Sequence, residues 1–142
     1  MIFVKANEND WNILLNWRNE KTTRENSLNS KIITEEEHKK WFFSSLKNSN
    51  RIIYIVYDNE EKIGTVRIDF EENNSVISWT VAPEHRGKNY GKQIVKRLVE
   101  MLTGKITAVI KESNIASIKV AEYAGLKFEY KEQNILYYSI QK

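Results

Sequence analysis

The segment Arg86-Gly87-Lys88-Asn89-Tyr90-Gly91 concentrates the chemistry of this sequence. Trp79-Thr80-Val81 reads as the end of a strand and Ala82-Pro83-Glu84-His85 as a break. Ile94, Val95, Leu98, Val99 and Leu102 then read as the apolar stripe of a helix that begins directly after the turn. Glycine at 87 and 91 permits positive φ and close approach of backbone to a ligand, and Asn89 is the next most tolerant type for a left-handed conformation. Free amides at a helix start, where the dipole is positive, attract an anion, and Arg86, Lys88 and Lys92 add charge. A pyrophosphate suits such a turn. The spacing is not that of the dinucleotide fingerprint and lacks the Gly-Lys-Ser/Thr ending of a nucleotide-hydrolysing P-loop, which removes dehydrogenase and kinase chemistry. The plainer alternative is a tight turn flanked by solvated basic residues.

The elements that must position this turn follow from periodicity. Ile2 to Ala6 can form a strand, and Trp11, Leu14, Leu15 and Arg18 recur at helical spacing between about Glu8 and Asn19. A polar loop, Glu20 to Lys31, precedes a second helix that opens on a Thr34/Glu37 capping box, carries Trp41, Phe42 and Leu46 on one face and ends near Lys47. Strands at Ile52–Tyr57, Ile63–Phe70 and Val76–Val81, separated by acidic and amide-rich turns, predict an antiparallel meander. A buried strand at Ile106–Ile110, a helix at Ser113–Ala124 and a last strand at Ile135–Ile140 complete the chain. The expected class is α/β of the α+β kind, with a mixed, mostly antiparallel central sheet flanked by helices. With one proline, five glycines and no repeat or low-complexity stretch, residues 1–142 read as a single domain.

Composition narrows the function. The absence of cysteine excludes a disulfide framework, a thiolate zinc site and a cysteine nucleophile, and no metal is expected; the expected setting is cytoplasmic. No stretch approaches the roughly 20 apolar residues that span a bilayer, and Met1-Ile2-Phe3-Val4-Lys5 lacks the apolar core of a signal peptide, so no membrane partner is expected. A net charge of +3 suggests an anionic partner, yet the 22 basic residues are interleaved with 19 acidic ones. Nucleic acid would require a basic stripe, of which Lys39, Lys40 and Trp41 are a faint version, so none is expected.

Arg86, Asn89 and Gly91 resemble the Arg/Gln-x-x-Gly-x-Gly/Ala signature of the GNAT superfamily of acyl-CoA N-acyltransferases, with asparagine where the middle glycine is usual. Ala108 to Ile118 resembles that family's second cofactor segment. The resemblance implies acetyl-CoA as co-substrate and a splay between the strands at Val76–Val81 and Ile106–Ile110 that admits the pantetheine arm. It implies that Thr80 and Val81 offer backbone groups to that arm, that Arg86, Gly87, Lys88, Asn89, Tyr90, Gly91 and Lys92 surround the pyrophosphate, and that Asn114 and Ser117 lie on the cofactor's other side. Asn114 equally reads as an ordinary helix cap. The amide of Val81 is the inherited group for polarising the thioester carbonyl. The family's usual proton donor, a tyrosine seven residues after the asparagine, is Ala121 here, and Tyr123 lies about 200° round a helix from it. Tyr90, Tyr137 and Tyr138 remain as donors. His38 is the leading base for the attacking amine, its alternative being a surface helix histidine beside Glu37 and Lys39; His85 reads as structural or at the cofactor's edge.

Trp17-Arg18-Asn19, Thr23 to Ser27, His38 to Phe42 and Gly64 to Arg67 resemble, within that superfamily, the N-acetyltransferases of nucleotide-linked amino sugars on the routes to pseudaminic and legionaminic acids. That resemblance implies a small-molecule amine as partner, the 4-amino group of a nucleotide-linked 4-amino-4,6-dideoxy sugar. Arg18, Asn19, Arg24, Arg67 and Trp79 are then the substrate-binding residues. Ion pairing with Glu20, Glu25 or Asp69 is the alternative for the arginines, while Arg67, alternating with Val66 and Ile68, faces away from both and, if buried, needs a partner. A protein N-terminal acetyltransferase of the ribosomal-protein type is the rival enzyme. A non-catalytic acyl-CoA-binding module is the rival class, prompted by Ala121. Tyr137 and Tyr138 on a last strand suggest a homodimer edge.

Overall fold

The computed structural model describes residues 1–142 as a seven-stranded sheet in the order β1-β2-β3-β4-β5-β7-β6. The strands are β1 (Ile2–Lys5), β2 (Arg51–Asp58), β3 (Glu61–Glu71), β4 (Asn74–Val81), β5 (Lys105–Lys111), β6 (Lys127–Glu132) and β7 (Ile135–Gln141). The helices are α1 (Trp11–Asn19), α2 (Lys21–Asn26), α3 (Glu35–Leu46), α4 (Tyr90–Met101) and α5 (Ile115–Tyr123). Every neighbouring pair is antiparallel except β4 and β5. That one parallel pair follows from α4, which carries the chain back across the sheet. No helix is long and apolar enough to cross a membrane.

Alternation along the strands divides the core in two. Val66, Ile68 and Ile77 pack with Ile94, Val95, Leu98 and Val99 of α4 and Ala121 of α5 on one face. Ile53 and Ile55 pack with Leu14 and Trp17 of α1 and Phe42 of α3 on the other. Each such side chain, buried outright, contributes about 1.5–3 kcal/mol. Helices therefore cover β2 on this second face, whereas Thr65 and Arg67 of β3, Ser78 of β4 and Val109 of β5 look into a cleft.

Three local differences from the sequence reading have physical causes. The polar stretch after Asn19 contains a helix, α2, because the Glu20 carboxylate caps it by accepting from the amides of Thr22 and Thr23; a helix without an apolar stripe leaves no periodicity to read. Residues 127–132 form β6, in which Phe128 and Tyr130 alternate with charged residues; that strand signal went unread, and the two rings stay largely exposed because β6 lies at the edge of the sheet. Since β6 is the edge strand, Tyr137 and Tyr138 lie on an interior strand; Tyr138 is buried and Tyr137 stacks on Tyr130 at 4.3 Å, so neither forms a sheet edge.

Candidate active site

The pairing of β4 with β5 runs from Asn74 opposite Lys105 to Ile77 opposite Ala108 and stops there. Beyond it the strands diverge as far as Val81 and Lys111, which is the expected splay. The register of β3 and β4 shows which main-chain groups face the gap. The Ala82 amide donates to the Ile63 carbonyl at 2.8 Å, and the uninterrupted pairing of Gly64 with Val81 and Thr65 with Thr80 then assigns bonded and non-bonded pairs alternately. Thr80 spends its backbone groups on Thr65. Trp79 and Val81 point theirs away from β3, into the splay. The main-chain groups open to the splay are thus those of Trp79 and Val81, while those of Thr80 face β3 and its side chain shares the face of Thr65.

At the start of α4 the turn leaves main-chain amides free. Asn89 is the N-cap in a left-handed conformation, φ 63°, and makes no side-chain capping bond, whereas Thr34 and Asn114 cap their helices with their side chains. The first amides of α4 are therefore left without an internal partner. Gly87 also has positive φ, 81°, and a side chain there would meet open space. Gly91 does not have positive φ. A Cβ added to it would lie 3.2 Å from Val120 Cγ2 and 3.6 Å from Val81 Cγ2, so its lack of a side chain lets α4 pack closely on α5 and β4. Arg86 stands beside the turn, but its guanidinium is engaged elsewhere: Nη1 donates to Glu20 Oε1 and Nη2 to Thr23 Oγ1, both at 2.8 Å. Tyr90 donates its hydroxyl to Asp58 at 2.6 Å, and this bond and burial raise its pKa.

On the far side of the splay lies a cleft of about 540 Å³, bounded by α1, α3, residues 27–33 and strands β2 to β5. His38, Arg18, Arg67, Thr80, Asn114 and Ser117 all line it. His38 is not a surface histidine: it is 3% exposed, lies parallel to the Phe42 ring at 5.9 Å and bonds through Nε2 to the Trp11 carbonyl at 2.9 Å. A carbonyl only accepts, so Nε2 carries the proton and Nδ1 is left as the ring's basic nitrogen. Burial lowers its pKa below the ordinary 6.5 and the nearby Arg18 charge lowers it further, against the opposing effect of the Trp11 bond.

Two guanidiniums face this cleft. Arg18 donates from Nη2 to the Asn29 carbonyl, while Nη1 is buried with no hydrogen-bond partner. Arg67 is half-buried and paired: Nε donates to Asp69 Oδ2 at 3.0 Å, and Asp69 accepts from Arg51 through its other oxygen. Trp41 lies against Arg51 and Arg67, each guanidinium carbon 5.6 Å from its ring centre. Asp69 is the single carboxylate in the lining, and it is already shared between two arginines. Burial, with Arg51 nearby, lowers the Arg67 pKa against the pull of Asp69.

Other expected residues sit elsewhere. Asn19 uses its amide to clamp the backbone of Ile33 at 2.7 and 2.8 Å, and Arg24 donates to the carbonyls of Asn19 and Ser30; both brace the loop over the cleft and neither lines it. Trp79 pairs with Val66 on the α4 face, where its side chain packs against the main core, so only its backbone reaches the cleft. Asn114 caps α5 by accepting from the Ser117 amide at 3.2 Å and also lines the cleft. Ala121 is fully buried. Tyr90, Tyr123, Tyr137 and Tyr138 do not line the cleft, and Tyr123 packs outside against Lys92 and Lys96. His85 is buried, with Nε2 3.3 Å from Glu61. Sequence reasoning missed Asp69, Trp41 and Trp17 as lining residues. The alternation of Arg67 with Asp69 was a usable signal, since the two must share a face.

Residues 1–127 match the family model described as the acetyltransferase (GNAT) domain. The uncharacterized N-acetyltransferase YfmK of Bacillus subtilis (strain 168) is 28% identical over 131 residues, 89% of this chain and 85% of that protein. Among solved structures, a domain from Methanocaldococcus jannaschii DSM 2661 superposes with a TM-score of 0.87 at 26% identity, over 99% of this chain and 97% of that one. The aminoglycoside acetyltransferase AAC(6')-Ib, in complex with coenzyme A, has the same fold with a TM-score of 0.83 at 22% identity, over 99% and 94% of the two chains.

Proposed function

We propose that this chain, which belongs to the GNAT acetyltransferase family and is an acetyl-CoA-dependent N-acetyltransferase, acetylates an amine carried by an anionic small molecule. The 4-amino group of a nucleotide-linked 4-amino-4,6-dideoxy sugar is the preferred acceptor. The observation that carries the reading is the cleft's charge. Arg18 and Arg67 line it with N–H groups to spare, and its single carboxylate, Asp69, is already paired. An aminoglycoside or a polyamine, with several ammonium groups, would meet repulsion there; a diphosphate would meet two forks suited to phosphate. Leu14, Trp17, Ile53 and Trp41 offer apolar surface to a deoxygenated sugar ring.

Acetyl-CoA supplies a thioester whose carbonyl carbon bonds to the amine nitrogen while the carbon–sulfur bond breaks. Around it the chain has three tasks. The uncapped amides of α4 hold the pyrophosphate. The Val81 amide, aimed into the splay, donates to the carbonyl oxygen as negative charge grows there. Nδ1 of His38, neutral at physiological pH because of its burial, takes the amine's proton. With alanine at 121 no tyrosine delivers a proton to the sulfur, and the hydroxyl on the same stripe of α5, one turn earlier, is that of Ser117, which lines the cleft.

The test is release of free thiol from acetyl-CoA against a panel of a UDP-4-amino-4,6-dideoxy sugar, N-terminal peptides, an aminoglycoside and a polyamine. Turnover confined to the sugar nucleotide is the expected result. Turnover on peptides would move the protein to the N-terminal branch, turnover on the polycations would refute the charge argument, and bound acetyl-CoA without turnover would make the domain a sensor.

A further inference from the structure

The hairpin of β2 and β3 reaches past the end of β4. Pairing of β3 with β4 ends at Gly64 opposite Val81, with one further bond from the Ala82 amide to Ile63, so residues 58–62 overhang the segment that leads from β4 into α4. A bulge at Val56/Tyr57 increases the twist at the base of this overhang. Its tip is tight: Asp58 pairs with Glu61 across Asn59 and Glu60, both at positive φ, 49° and 67°. The two residues that flank the tip each hold one end of the phosphate turn. Asp58 Oδ2 accepts from the Tyr90 hydroxyl at 2.6 Å, and Glu61 Oε2 lies 3.3 Å from His85 Nε2. The His85 and Tyr90 rings meet edge to face, 6.0 Å between centres, and between them residues 86–89 are all exposed.

We propose that Asp58 is a positioning residue for the acyl donor: through the Tyr90 hydroxyl it fixes the first turn of α4, and with it the amides that receive the pyrophosphate. Tyr90 is the first residue of α4, and the amides of Tyr90, Gly91 and Lys92 precede that helix's first internal bond, from Gln93 to the Asn89 carbonyl at 3.3 Å. Asn89 makes no side-chain capping bond, so this helix start is held by other contacts. A bond from a hydroxyl to a carboxylate is the stronger kind of hydrogen bond, and it raises the Tyr90 pKa, which keeps the phenol a donor at any working pH. The His85 link is the weaker one, because the Glu61 side chain is largely exposed. Asp58 works through its bond and not through its charge, since a carboxylate beside the turn repels an anion. Amides ordered before the ligand arrives lose less freedom when it binds.

The proposal rests on the acetyl-CoA reading of the site, and calorimetry with CoA separates the two. Tyr90→Phe keeps the ring packed on the core, leaves the Met1 ammonium 3.8 Å from Asp58 Oδ1 and removes only the hydroxyl. Asp58→Ala removes the acceptor, whereas Asp58→Asn keeps an accepting oxygen without the charge. Titrations well below each variant's thermal midpoint, measured separately, read affinity apart from folding. CoA should bind about tenfold more weakly to Tyr90→Phe and to Asp58→Ala. The double variant should be no weaker than either, because both changes remove one bond, and Asp58→Asn should return to within about twofold of wild type. Wild-type affinity in Tyr90→Phe, whatever its midpoint, would make the bond structural only and overturn the proposal. Tighter binding in both Asp58 variants, a double variant about a hundredfold weaker, or an asparagine no better than alanine would overturn it equally. If the wild type does not bind CoA, the reading of the site falls and the positioning role falls with it.

Discussion

His38→Gln separates the chemistry of that residue from its packing. The imidazole is almost fully buried against Phe42 and donates from Nε2 to the Trp11 carbonyl. An alanine there would leave a cavity costing about 2–4 kcal/mol and orphan the carbonyl for about 1–3 kcal/mol more, so its loss of activity would be ambiguous. Glutamine can still donate to Trp11 and forfeits mainly the ring stacking, about 0.5–1.5 kcal/mol, yet it has no basic nitrogen. Because burial and Arg18 lower the His38 pKa, the wild-type ring is in its neutral, basic form at pH 7.5. Removing the base should then lower kcat/KM at that pH by about 100-fold, a value at the lower end for general bases and equivalent to about 2.7 kcal/mol. The assay is thiol release across pH 5 to 9 with CoA affinity measured alongside. The wild type should show an acid limb below pH 6.5 that the glutamine variant lacks, at unchanged CoA affinity. Stability provides an independent sign: below 6.5 the unfolded chain takes up the His38 proton while the folded one resists it, so the wild type loses stability as pH falls through that window and the variant loses less. A variant within threefold of wild type, with the same acid limb, would refute His38 as the base.

Asp69→Asn should free Arg67 and Arg51 from the shared carboxylate and misaim the Arg67 fork, raising the acceptor KM about tenfold with little change in kcat or in CoA affinity; a fall in kcat alone would contradict a binding role for Arg67. Gly91→Val should drive α4 away from Val120 and Val81 and cost about 1–3 kcal/mol, read as a lower denaturant midpoint; loss of CoA affinity with unchanged stability would place Gly91 at the phosphate and not in the packing.

Where apolar residues recur with one period, the sequence reading and the structure agree: the meander, α4, β5 and the second core cluster of α1 and α3 all announce themselves by burial. The splay was legible only through the resemblance, because nothing in Val76–Val81 or Ile106–Ile110 marks where hydrogen bonding between them ends. Gly91 illustrates a different limit. Glycine in a phosphate-turn context reads as conformational freedom, but the residue that takes the left-handed conformation at the helix start is Asn89, and Gly91 is small for the sake of Val120, on the next helix. A requirement for space comes from a neighbour whose position only the fold supplies.

The same reasoning explains why the arginines divided as they did. Arg18, Arg24, Arg67 and Arg86 are chemically alike, and each has acidic or amide neighbours in sequence. Their roles are set by which donors remain after the fold has used the others. Arg24 spends its bonds on the carbonyls of Asn19 and Ser30 and becomes a brace. Arg67 spends only Nε on Asp69, which fixes the plane of its fork and leaves the two outer nitrogens towards the cleft. Arg18 keeps one buried nitrogen without a partner, a costly arrangement that an incoming acceptor oxygen would relieve. Arg86 gives one N–H of each outer nitrogen to α2, which fixes the plane of its guanidinium beside the turn. An anion entering the cleft would thus meet donors that the fold has already aimed, a half-buried Arg67 and one buried nitrogen of Arg18, so little reorganisation opposes its binding.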